Sequence, residues 1–363
     1  MKTKIRMGGG GTADSRQSNI EFLRLLCIFG IVSMHTYGAF YSTATGFNLL
    51  YGVLINSLFN TGVSLFMLVS GYFGSKSSFN KLLKLYLEVL FYSVLSSIVT
   101  SLVTGNWNVK SLIKGFLPLS TNQYWFITSY ILILIFSKYI NQIPEKFKKK
   151  DFENLLLLMF FVFSVVPTVV QYHVMGDGGK GFANMLLMYF VGRYIRLYWN
   201  EEPHSLKKTI ALGAGVILLG FILNLVLTLL RGGKGVYAPF ARDCSCIIII
   251  ASVAIFMTFK KIRMRSNVIN QIAKHVVSVY LFEGAMRTFL NQFFDITLYT
   301  DKWYLFAVLS VYVLVVMAGC MILDVIRSIV AKPIENMICS AGEKGINRIV
   351  EECKKLRSRY EPN

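Results

Sequence analysis

The chain has 363 residues, 54% of them hydrophobic and 16% charged, against the roughly 25% charged residues of an ordinary soluble domain. Its formal net charge of +19 invites a nucleic-acid reading. That reading fails because the cations sit in short loops between apolar runs, not on a basic helix with interleaved base-stacking aromatics. Apolar runs of about 20 residues recur along the chain, which excludes a soluble fold and a transmembrane barrel alike and predicts an all-α polytopic membrane protein.

Residues 1–18 form a basic, Gly-rich segment expected to be a flexible cytoplasmic N-tail. The apolar run after it is too long for a signal peptide, lacks a clear cleavage site and is followed by further runs, so it reads as an uncleaved first helix. Ten runs follow in order, at roughly 20–41, 50–73, 84–104, 123–141, 154–173, 182–199, 207–230, 240–259, 275–294 and 304–330. They predict about ten transmembrane helices in a membrane domain spanning 19–331. The external loops are short, with 105–122 and 174–181 the main ones. The basic segment 332–363 carries Ile338, Ile346, Ile349, Val350 and Leu356 among charges, the pattern of an amphipathic helix on the inner membrane surface. A homodimer contact is its rival reading. The six cysteines form no CxxC pair and fit neither a zinc site nor a disulfide scaffold, so no metal is expected.

Alternate loops assign the orientation. Of the 38 Lys and Arg residues, the side away from the N-tail holds only Lys110, Lys114, Lys180, Arg231, Lys234, Arg242, Arg287 and Lys302. All the others except Arg24 fall on the N-tail's side. The positive-inside rule therefore puts both termini in the cytoplasm and predicts a multi-pass protein of the cell membrane.

The first run, NIEFLRLLCIFGIVSMHTYGAFY, contains two ionisable groups that are costly in lipid, Arg24 and His35. Eleven residues apart, they share one helix face and stand about 16 Å apart along the axis. Arg24 falls near the cytoplasmic mouth and His35 in the outer half. The plainer reading is a snorkelling Arg and a structural His.

Further along, residues 60–76 are rich in small residues (Gly62, Ser64, Ser70, Gly71, Gly74), which favour close helix approach. Lys81 and Lys84 then pair two cations at an inner helix start, suited to phosphate or simply part of the positive-inside bias. The cluster at 122–132, with Tyr124 and Trp125, is either an interfacial aromatic belt or a platform for a sugar ring. Two acids lie inside late and early runs. Glu283 has Arg287 one turn on or His35 as candidate partners, the ion pair with Arg287 being favoured. Glu88 is expected to pair with Lys84, one turn before it. His173, His204 and His275 sit at loops or run ends and read as ordinary.

Arg24–x10–His35, the run GVSLFMLVSGYF, the basic pair Lys81 and Lys84 and the YWF motif at 124–126 together resemble the acyltransferase-3 family of integral-membrane acyltransferases, in a stand-alone membrane form. HVVSVYLFEGAMR at 275–287 resembles that family's late helix, with Glu283 where a His is often found. The resemblance covers essentially all ten runs. It implies transfer of an acyl group, most simply acetyl from acetyl-CoA or another acyl-CoA, to a hydroxyl of an exopolysaccharide or other surface or lipid-linked glycan. It makes His35 the acid/base residue, a task suited to an imidazole because that group titrates near neutral pH. Arg24, Lys81 and Lys84 would hold coenzyme A phosphates, Tyr124 and Trp125 would contact the glycan, and Glu283 would orient His35 or a substrate.

The rival class is a transporter exporting a glycan or lipid-linked sugar. No inverted repeat and no Gly/Pro-broken helix pair in matching halves supports it. A third reading, a membrane scaffold for a polysaccharide-assembly complex, has no need of His35.

Overall fold

The computed structural model describes residues 16–76, 78–171, 175–199, 205–300 and 302–360, and among them there is no β-strand. Thirteen helices of eight residues or more carry the architecture of an all-α polytopic membrane protein: α1 (Ser18–Tyr37), α2 (Gly46–Phe59), α3 (Thr61–Phe73), α4 (Phe79–Thr104), α5 (Val109–Phe116), α6 (Trp125–Ile135), α7 (Lys149–Phe160), α8 (Phe182–Tyr198), α9 (Leu206–Leu230), α10 (Cys246–Lys261), α11 (Val276–Leu290), α12 (Leu305–Val330) and α13 (Lys332–Tyr360). Each of the ten apolar runs contains a helix, but their lengths differ. Among the described residues, six helical stretches are long and apolar enough to cross a membrane, or seven if the pair 125–135 and 137–146, bent by 64°, is one span. At 17, 16 and 15 residues, α8, α10 and α11 fall short of the ~20 residues a full crossing needs.

Short helices at the centre need close neighbours, and two glycines supply the closest approach. A Cβ on Gly71 of α3 would lie 2.0 Å from the Tyr189 carbonyl oxygen, and one on Gly192 of α8 would lie 2.1 Å from the Leu68 carbonyl oxygen. The two backbones therefore touch directly, as small-residue helix contacts in membranes do. Another glycine, Gly62, seats α3 on α1 against the Cys27 carbonyl and Ile31. Gly74 ends α3 in the left-handed conformation at φ 66°. Its N–H donates to the Gly71 carbonyl at 2.9 Å and that of Ser75 to Ser70 at 3.3 Å, so the last carbonyls of α3 are satisfied where the chain turns toward α4.

Both ends of α1 are pinned. At its N-terminal end Asn19 Nδ2 donates to the Phe259 carbonyl at 2.9 Å and Ser266 N–H donates to Ser18 Oγ at 2.9 Å. At its C-terminal end the fully buried Tyr37 donates its hydroxyl to the Asn48 carbonyl at 2.5 Å. The acid Glu21 in the first turn and the base His35 in the last both complement the helix dipole.

Helix α13 lies against α4 of its own chain. Gly342 sits on Phe79 and Leu83, and Asn80 Nδ2 donates to Glu343 Oε2 at 2.7 Å. The backbone at Ile349, Val350 and Leu356 continues this helix, while their side chains lie outside what is described.

Candidate functional site

Helix α1 carries two poles. At the pole expected to face outward, His35 Nδ1 and Glu283 Oε1 are 2.8 Å apart, joining α1 to α11. The second carboxylate oxygen of Glu283 accepts from Arg287 Nε at 2.6 Å, and Arg287 Nη1 donates to the His35 carbonyl at 3.4 Å. The favoured ion pair with Arg287 forms, and the orienting contact with His35 forms beside it: one carboxylate makes both, one oxygen to each. Glu283 is 6% exposed, while the His35 side chain keeps 46% of its surface open. A carboxylate on Nδ1 fixes the tautomer with the proton there and leaves the Nε2 lone pair for chemistry. Among the described residues Nε2 has no hydrogen-bond partner.

The pole expected to face the cytoplasm is a cavity of about 520 Å³, bounded by Arg16, Glu21, Arg24, Lys81, Phe126 and Tyr280 among others. Its volume falls within the ~300–1,000 Å³ of small-molecule sites. Arg24 Nη1 donates to Glu21 Oε2 at 2.7 Å, and Arg16 stands 3.7 Å from the other Glu21 oxygen. Three cations against one carboxylate leave the mouth net positive. Lys81 in the first turn of α4 opposes the helix dipole and is placed there by a helix start capped by Ser78, whose hydroxyl accepts from the Lys81 N–H at 3.3 Å. Lys84 is exposed and does not reach the cavity. On α1 the wall runs Ile20, Arg24, Ile28, Ile31 and stops one turn short of His35.

Within the aromatic motif, Tyr124 and Trp125 pack against the rest of the fold. Tyr124 is 9% exposed and donates its hydroxyl to the Leu281 carbonyl at 3.0 Å, so it braces α11. Trp125 packs on Phe126 at 6.2 Å between ring centroids, and Phe126 and Tyr130 line the inner cavity instead.

A second polar network, missed in the sequence, lies outside both poles. Asp324 on α12 meets His275 Nδ1 at 2.6 Å through Oδ2, while its Oδ1 accepts from Tyr92 OH and Arg327 Nε, each at 2.8 Å. Arg327 Nη1 donates to Glu335 Oε1 of α13 at 2.5 Å and Nη2 stands 3.6 Å from Glu88. The partner of Glu88 is therefore Arg327, not Lys84, whose long side chain stays at the surface. His275 is likewise a bonded residue and not a bystander. His173 and His204 lie outside the described residues.

One further acid was passed over. Asp243, in the loop before α10, is 4% exposed. Burial pushes its carboxyl up to about 7, opposed by Lys180, with His35 also close enough to act on it. Among the described residues no cluster of His, Cys, Asp and Glu has the arrangement of a metal site.

One helix thus carries a carboxylate-oriented imidazole toward one end and a cationic cavity toward the other. The family model described as acyltransferase domain matches residues 17–325. Comparison with curated proteins gives no match, and comparison with solved structures gives none.

Proposed function

The chain belongs to the acyltransferase-3 family, and we propose that it is a membrane-bound O-acyltransferase that moves an acyl group, acetyl in the simplest case, from cytoplasmic acyl-CoA to a hydroxyl of an exopolysaccharide or other surface glycan. It works in the cell membrane as a multi-pass protein with both termini inside. The reading rests above all on the His35–Glu283 contact of 2.8 Å on the helix that also carries Arg24.

In this mechanism Nε2 of His35 takes the proton of the acceptor hydroxyl as its oxygen attacks the thioester carbonyl. The C–S bond breaks and the proton passes to the coenzyme A sulfur, so that ester and free thiol leave with all atoms accounted for. Glu283 holds the ring and stabilises the imidazolium while the proton is on it, and Arg287 fixes Glu283. Arg16, Arg24 and Lys81 receive the donor's phosphates at the inner cavity, whose wall ends a turn below His35. The acyl end of the donor crosses that turn, and the phosphates stay at the cations.

The test is His35→Ala in cells, with surface-glycan O-acetylation read by mass spectrometry. Loss of the ester groups at unchanged protein level is expected. Normal ester levels in that variant would end the proposal.

A further inference from the structure

On the outer side, a cup of about 240 Å³ lies between α4, α5 and the loop before α6, lined by Ser97, Ser111, Lys114, Thr121 and Gln123. Every lining residue is polar. This separates it from the cavities of about 410 and 680 Å³ on other faces, whose walls are mainly aliphatic and suit lipid chains. Its volume is below the ~300 Å³ at which drug-sized sites begin, room for one ring and not for a chain.

We propose that this cup is the subsite that grips a sugar ring of the acceptor glycan. The inference rests on the acyl-transfer reading and adds where the acceptor is held. The donor and acceptor inventory carries it. A cation site would show only oxygen acceptors, and a phosphate site mainly cations and N–H donors. Here three hydroxyls stand with one amide and one ammonium: those of Ser97 and Thr121 give their hydrogens to backbone carbonyls and keep lone pairs to accept, while Ser111, the Gln123 amide and Lys114 can donate. Sugar hydroxyls both donate and accept, so this mixed set matches them, and Lys114 adds attraction for an acidic ring. Gln123 is already half committed: its Oε1 accepts from Ser93 Oγ at 2.9 Å, which holds the side chain while its Nε2 has no partner among the described residues. Thr121 Oγ1 is set by the Leu117 carbonyl at 2.8 Å. Gly115 lets α5 close over the floor, since a Cβ there would stand 2.8 Å from Ser97 Oγ.

Position supports the same use. Helix α5 exposes Val109, Ile113 and Phe116, the mark of an interfacial helix with its apolar face in the headgroup layer. The cup therefore opens where a surface or lipid-linked glycan arrives. It is also tied to the outer pole, because Gln123 precedes Tyr124, which is bonded to the Leu281 carbonyl of α11, one half-turn before Glu283.

The probes are methyl glucoside, methyl galactoside, N-acetylglucosamine and glucuronate, each mixed with the purified full-length protein and read by saturation-transfer NMR. Acetyl-CoA binding is measured in parallel. The expected result is transfer to ring protons of at least one sugar in the wild type, reduced at least about tenfold in Gln123→Leu and Thr121→Val, with acetyl-CoA binding unchanged in both variants. No transfer from any of the four sugars, or equal transfer in the variants, overturns the subsite. If the wild type does not bind acetyl-CoA, the acyl-transfer reading fails instead, and the sugar result then stands separately.

Discussion

His35 and Glu283 are 248 positions apart in the chain and meet at 2.8 Å, Nδ1 to Oε1. Replacing Glu283 by Gln keeps the shape and removes the charge. An amide can present its N–H₂ to Nδ1 and favour the wrong tautomer, with the proton on Nε2. The expected outcome is a fall of roughly 10²–10⁴ in kcat, the range general acid/base catalysis supplies, with the KM for acyl-CoA little changed. Steady-state assays in proteoliposomes check it. A kcat within threefold of wild type would leave Glu283 a purely structural partner of Arg287.

Glu21 sits among the cations of the inner cavity, 2.7 Å from Arg24 and 3.7 Å from Arg16. It competes with any phosphate for both. Glu21→Gln is expected to lower the KM for acyl-CoA severalfold and to steepen its salt dependence, since two cations are released. Arg24→Ala is expected to raise the KM about tenfold, or 1.4 kcal/mol. Lys84→Ala, outside the cavity, should change neither. Equal donor affinity in all three variants by titration calorimetry would remove the cavity from the donor path.

Much of this site was legible in the sequence because helical register is local. Arg24 and His35 share a face by spacing alone, and the ridge Arg24–Ile28–Ile31 lines the cavity as that spacing requires. Glu283 stood out as a carboxylate in an apolar run. Its two candidate partners, Arg287 and His35, were legible as well, but as alternatives, because the sequence cannot say that each carboxylate oxygen finds a different base. The Glu88 expectation failed for a related reason. One-turn spacing favoured Lys84, but a flexible ammonium gains more from water than from a buried acid, and Arg327 arrives from α12 by folding. Asp324 and Arg327 were themselves visible as charges in the last run. Nothing in their spacing shows that His275 and Tyr92, from distant runs, converge on them. Span number was the softest reading, since α8, α10 and α11 form in apolar runs yet are shorter than a bilayer crossing.

Asp243 gives a pH dependence whose sign can be worked out. Burial raises its folded-state pKa to about 7 from 3.8. A raised acid stabilises the fold below its unfolded value and loses that contribution as pH rises through the folded value. Between about pH 4 and 7 stability should therefore fall, by at most about 1.4 kcal/mol per pH unit from this group. Asp243→Asn cannot ionise, so its Tm in detergent should decline less than that of the wild type from pH 5 to pH 7.5. Parallel curves for the two proteins would show that Asp243 is already charged in the fold.

The Asp324 network predicts a different phenotype from the outer pole. Its carboxylate holds His275, Tyr92 and Arg327 at once, and Arg327 in turn holds Glu335 of α13. Removing one member of a buried charged group costs about 3–5 kcal/mol. Asp324→Asn should fall at the low end of that range, because Glu335 and Glu88 still face Arg327. The expected result is a Tm lower by several degrees and faster proteolysis within α13, the helix whose anchor is loosened. Activity per folded molecule is the decisive reading. His275 with Asp324 is, like His35 with Glu283, an imidazole whose Nδ1 meets a carboxylate, so geometry alone would admit it as the base. It differs in its surroundings: the His275 side chain is 22% exposed against 46% for His35, and its carboxylate is shared with Arg327 and Tyr92, which binds it into the packing of α4, α12 and α13. Folded Asp324→Asn protein should therefore keep its transfer rate within a few-fold of wild type at a temperature below both Tm values. A loss there as large as that of His35→Ala would move the base to His275 and the chemistry to the inner half of the membrane.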